Sequence, residues 1–105
     1  MDKKNQVKVD RDFEDIVEPY LDHIRNDILL MRDYLNDADF QNIQLITHQI
    51  KGSGGSFGFG FITECGEFLE HAANVKDRDK INRGLEDLAE YLGKVEILFV
   101  SEDEL

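Results

Sequence analysis

Basic residues are scarce in this chain. Twelve Lys and Arg stand against twenty-three Asp and Glu, a net charge of −11 over 105 residues. That charge repels phosphate backbones and anionic lipid headgroups, which argues against nucleic-acid binding and polybasic membrane anchoring. There is one cysteine, Cys65. It forms no internal disulfide and rules out both a cystine scaffold and a multi-cysteine zinc site. No apolar run exceeds four residues, as in Ile28-Leu29-Leu30-Met31, far short of the roughly 20 that span a bilayer. The N-terminus Met1-Asp2-Lys3-Lys4-Asn5-Gln6 lacks the apolar stretch of a signal peptide. There is one proline, Pro19, and strand-like alternation is short wherever it occurs. What remains is a single acidic domain, expected to be soluble and cytoplasmic, with enough hydrophobic residues (41%) to build a core.

Helical spacing, by contrast, is long and repeated. Asp10 is a candidate N-cap for a short first helix carrying Phe13, Ile16 and Val17 on one side. Pro19 fits the first turn of a new helix, or a kink between two collinear ones. From there Leu21, Ile24, Ile28, Met31 and Leu35 are spaced 3-4-3-4, the seam of a bundle helix. Asp37 or Asp39 can cap a second long helix, with Phe40, Ile43, Ile46 and Ile50 inward and the pattern continuing toward Phe57. A third helix places Ile62, Cys65, Leu69, Ala72 and Ala73 inward. Asp77 or Asp79 caps a fourth, whose seam runs Ile81, Leu85, Leu88, Leu92, Val95, Phe99. The expected fold is all-α: an antiparallel up-down four-helix bundle with a short extra N-terminal helical segment. The expected boundaries are a flexible N-terminus at 1–9, the bundle at 10–100 and an acidic tail at 101–105.

The second long helix differs from the others. At about 100° per residue, His48 points away from the apolar stripe, toward solvent. Gln41, Gln44, Leu45, Lys51, Gly52 and Gly55 share its side. Five of the eight glycines fall between residues 52 and 60, and each glycine in a helix costs about 1 kcal/mol relative to alanine. A residue without a side chain near His48 lets another backbone approach the ring. Leu45 is apolar and outward, which suits a partner surface. Lys51, three residues on, can compensate a phosphoryl group on the ring. The surroundings of His48 read as nearly free of acids. His23 reads as a surface residue, His71 as a possible border of the site, and Cys65 as a small buried hydrophobe.

His48-Gln49-Ile50-Lys51-Gly52-Ser53, with Gly58 ten residues after the histidine and Leu69-Glu70 in the next helix, resembles the His-x-x-Lys-Gly…Gly signature of histidine-containing phosphotransfer (HPt) domains. The sequence departs at Phe59, where many members carry a small residue. The resemblance implies a phosphorelay intermediate. His48 would accept a phosphoryl group on Nε2 from a receiver-domain aspartyl phosphate and pass it to another receiver. Lys51 would steady the charge and Gly52 would leave room for docking. Glu70 would hydrogen-bond the imidazole and fix its tautomer. Gln41, Gln44, Leu45, Gly52 and Gly55 form the expected docking face. The chain offers no acidic metal pocket and no ATP site: its glycine segment fails the G-x-G-x-x-G pattern, and no Gly-Lys-Ser/Thr follows. The expectation is therefore no metal, no cofactor, no enzyme activity of its own, receiver domains as partners, and a monomer. Two alternatives remain: a four-helix adaptor that binds a receiver or kinase without carrying phosphate, and the phosphoacceptor part of a larger kinase.

Overall fold

The computed structural model describes residues 5–105. Strand β1 (Gln6–Asp10) leads through a 3-10 turn (Arg11–Phe13) into α1 (Glu14–Asn36). Helices α2 (Phe40–Ser56), α3 (Gly60–Asn74) and α4 (Arg78–Lys94) follow, then strand β2 (Glu96–Val100) and a last 3-10 turn (Glu102–Glu104).

The three interhelix loops share one construction. Asp37, Phe57 and Val75 end their helices, and the next residue of each loop is left-handed: Ala38 (φ 55°), Gly58 (φ 85°) and Lys76 (φ 58°). The residue after that donates its N–H back into the helix: Asp39 to Tyr34, Phe59 to Gly54, Asp77 to Ala72. This is the Schellman closure, which satisfies the last carbonyls of a helix. Two of these residues then cap the following helix. The Asp39 carboxylate accepts from the Asn42 N–H (3.2 Å), and Asp77 accepts from Lys80 (3.1 Å). Three-residue loops force antiparallel neighbours. The side-chain contacts agree: Arg25 reaches the Leu92 carbonyl while Arg78 reaches that of Leu35, and the Phe61 ring lies tilted against Tyr91 while Gly84 abuts Leu69.

The core lies along the predicted seams. Leu21, Ile24, Ile28, Met31 and Leu35 of α1 are buried, as are Ile43 and Ile50 of α2, Ile62, Cys65, Leu69, Ala72 and Ala73 of α3, and Ile81, Leu85, Leu88 and Leu92 of α4. Phe40, Ile46 and Phe57 are only partly buried, and Ile16 lies on the solvent side. Phe59, the departure from the family pattern, is fully buried and stacks near Tyr20.

Three expectations are corrected. Pro19 neither starts nor divides a helix: α1 runs through it. Proline removes the N–H that would bond the Asp15 carbonyl, but Pro19 and Asp15 are both exposed, so water can satisfy that oxygen. The fourth helix stops at Lys94, short of Phe99. Third, residues 6–9 are not a loose end. They pair in parallel with 96–99, with Val7 beside Ile97 and Val9 beside Phe99, and Val9 is buried. The expectation for residues 1–4 lies outside the described residues. The two-stranded sheet ties the two ends of the described chain together beside the α2–α3 turn, where the Lys8 carbonyl lies close to Gly58.

Candidate functional site

Helices α2 and α3 cross in a single register. Gln44 donates to the Asn74 side chain (3.3 Å), His48 meets Glu70, the Lys51 backbone meets Gly66, and Gly54 meets Thr63. The Thr63 hydroxyl donates to the Lys51 carbonyl (3.2 Å). On the far side of α2, the Ser53 hydroxyl is 2.9 Å from the Tyr20 hydroxyl of α1. The buried Thr47 donates to the Gln44 carbonyl (3.0 Å). Helix α2 is thus held on both flanks, and its remaining face carries His48.

The His48 side chain is 75% exposed, and its Nδ1 lies 2.9 Å from Glu70 Oε2. Lys51 Nζ lies 3.4 Å from the other oxygen, Oε1. One carboxylate therefore joins an imidazole and an ammonium. The hydrogen bond to His48 is the main cause holding the Glu70 carboxyl below the usual range, with the Lys51 charge adding to it and partial burial opposing it. An ionised carboxylate only accepts hydrogen bonds. A neutral imidazole at this distance must therefore carry its proton on Nδ1, which leaves the lone pair on Nε2. Among the described residues, Nε2 has no hydrogen-bond partner.

Leu45 is 60% exposed, and Gln41, Gly52 and Gly55 are also exposed. A Cβ added at Gly52 would meet nothing within 4 Å. Gly55 leans toward α3, with Thr63 Oγ1 3.6 Å from an added Cβ. Gln44 is half-buried and already engaged with Asn74. Of the acids nearby, Glu70 bonds the His48 ring, and Glu67 lines a cleft with Glu70, Gln44, Lys51, His71 and Asn74, so the region is less free of acids than expected. Exposed apolar side chains also lie away from this face, at Ile16, Leu29, Phe61, Phe68 and Leu98.

His23 is exposed and 3.5 Å from the buried Asp27, whose pKa burial raises. Burial pushes the Cys65 thiol up to about 12, which keeps it protonated and unreactive. No group of three or more His, Cys, Asp or Glu able to hold a metal occurs among the described residues. No helix among them is long and apolar enough to cross a membrane. Sequence reasoning passed over Gly66 and Thr63. A glycine on the inward side of α3, beside Cys65, was the available signal.

An exposed histidine on a bundle helix, with one ring nitrogen held by a carboxylate and the other open, presents a lone pair that could act as a nucleophile. Comparison with known families makes this specific. The model of the Hpt domain matches residues 15–97, a span that takes in the whole site and nearly all of the four helices. The chain belongs to the Hpt domain family, whose members are phosphotransfer intermediates in two-component signalling that act with receiver domains. Comparisons with curated proteins and with solved structures found no match.

Proposed function

We propose that this chain is a phosphorelay intermediate that carries a phosphoryl group on His48 Nε2 between two receiver domains, in the cytoplasm. The supporting observation is the 2.9 Å contact between His48 Nδ1 and Glu70 on an otherwise exposed ring. Nε2 attacks the phosphorus of the receiver's aspartyl phosphate in line. The N–P bond forms as the P–O bond to the aspartate breaks, and the carboxylate leaves with the bonding electrons. The ring becomes cationic and keeps its Nδ1 proton, which stays in the hydrogen bond to Glu70. Lys51, also on Glu70, places a positive charge near the incoming phosphoryl oxygens. The return step reverses this on a second receiver. The divalent metal such transfer requires is supplied, in this family, by the receiver.

The docking face is Gln41, Gln44, Leu45, Gly52 and Gly55, with open space over Gly52 for the approaching domain. An adaptor that carries no phosphate would have no use for an oriented, open imidazole. The test is incubation with a phosphorylated receiver domain. The expected label is acid-labile and alkali-stable and is lost in His48→Gln with helicity unchanged. Label surviving in that variant refutes the assignment. Binding without any label, across receivers, favours the adaptor.

A further inference from the structure

The tightest point between α2 and α3 is Gly66. A Cβ there would lie 2.6 Å from the Lys51 amide nitrogen, 2.8 Å from Lys51 Cα and 3.1 Å from Lys51 Cβ. The first two are backbone atoms, which cannot swing aside. Ordinary contact begins at 3.4 Å, so any side chain at 66 forces the helices apart by about 0.8 Å. Glycine is an unfavourable choice inside a helix, and Gly66 is inside α3. The close approach offsets that cost. Thr63, one turn earlier on α3, clamps the carbonyl of the same residue, Lys51.

Glu70 lies one turn after Gly66, and His48 lies one turn before Lys51. The Glu70 bonds are 2.9 Å to His48 and 3.4 Å to Lys51. Separation by about 0.8 Å takes both past hydrogen-bonding range, to about 3.7 and about 4.2 Å. We propose that Gly66 is a positioning residue for His48: by letting α3 close onto the Lys51 backbone, it brings Glu70 within reach of Nδ1 and so keeps the lone pair on Nε2. Its consequence for transfer rests on His48 being the phosphoacceptor; its consequence for the imidazole does not.

Nitrogen NMR of the unphosphorylated, histidine-labelled protein reads the tautomer directly, at a pH where the ring is neutral. The wild type shows the Nδ1–H form. Gly66→Ala shifts the ring to a mixture of tautomers and slows transfer from a phosphorylated receiver by roughly tenfold, the scale of one lost charge-assisted hydrogen bond. That loss does not add to the loss caused by Glu70→Gln, because both act through one contact. A folded Gly66→Ala variant that keeps the wild-type tautomer overturns the proposal, even if it transfers slowly. Full additivity with Glu70→Gln overturns it too. Should Gly66→Ala fail to fold by circular dichroism, Glu70→Asp decides, since it shortens the reach by one methylene and leaves the crossing intact. A tautomer shift there supports the proposal and an unchanged tautomer refutes it. A tautomer shift with no label on His48 from any receiver would leave the positioning intact and sink the phosphorelay reading alone.

Discussion

Gly52 and Gly54 stand two residues apart in one helix and should respond oppositely to substitution. Gly52 is exposed, and an added Cβ meets nothing within 4 Å. Its cost is that of glycine in a helix. Gly52→Gln installs a good helix former and should stabilise the fold by about 0.5–1 kcal/mol. For a domain of this size, that raises Tm by roughly 2–8 °C. At Gly54 an added Cβ would lie 2.7 Å from Thr63 Oγ1, 2.8 Å from the Thr63 amide nitrogen and 3.1 Å from the Phe59 carbonyl. Overpacking there costs about 1–3 kcal/mol and outweighs the gain in propensity, so Gly54→Ala lowers Tm. The side chain introduced by Gly52→Gln would stand one turn from His48, in the space that the proposed docking of a receiver needs. Transfer should fall by roughly tenfold or more, the cost of a displaced interface. Thermal unfolding and transfer kinetics on the same samples decide this. If Gly52→Gln lowers Tm, the glycine serves the fold. If it raises Tm and transfer stays at the wild-type rate, the space over Gly52 is not used for docking.

Leu45→Glu should slow transfer while leaving stability in urea within about 0.5 kcal/mol of the wild type, as expected for an exposed side chain; unchanged transfer would remove Leu45 from the interface. Glu70 titrates below the usual range in the folded protein, so its contribution to stability is complete above the ordinary glutamate pKa and is lost as pH falls through the lowered folded value. Urea unfolding should therefore show the wild type more stable than Glu70→Gln at pH 7, with the gap closing in acid, whereas a gap independent of pH would contradict the pairing. Ala38 holds a left-handed conformation (φ 55°) at the end of α1, so Ala38→Gly should stabilise by about 0.5–1 kcal/mol in urea unfolding; a loss of stability would contradict the Schellman reading of that loop.

The four helices were legible because each carries a seam at 3-4 spacing that no strand could reproduce. The caps were legible only to a choice of two, Asp37 or Asp39 and Asp77 or Asp79, since both members of each pair precede such a seam; the backbone closure selects Asp39 and Asp77. The strand pair was hidden by an arithmetic coincidence. Leu92, Val95 and Phe99 continue the helical spacing, but the step from Val95 to Phe99 is also two strand repeats. Val7 and Val9 offer a single step of alternation, too short to signal a strand. Their pairing joins residues some ninety positions apart, which local pattern does not record. Pro19 was misplaced because sequence alone does not show that the carbonyl it orphans faces water. His48, Lys51 and the glycines stood out on one helix. Glu70 was legible only through the family resemblance, since its place at the flank of the α3 stripe allows contact with His48 only if the helices pack closely. That closeness depends on Gly66, whose meaning becomes visible when the Lys51 backbone lies against it.

In the proposed mechanism Glu70 holds the Nδ1 proton and leaves Nε2 to react. The most direct measurement is phosphorus and nitrogen NMR of the labelled protein after transfer from a phosphorylated receiver, read for the nitrogen bonded to phosphorus. The expected product carries the phosphoryl group on Nε2 of His48, with the Nδ1 proton still present. A phosphoryl group on Nδ1, or on His23 or His71, would contradict it.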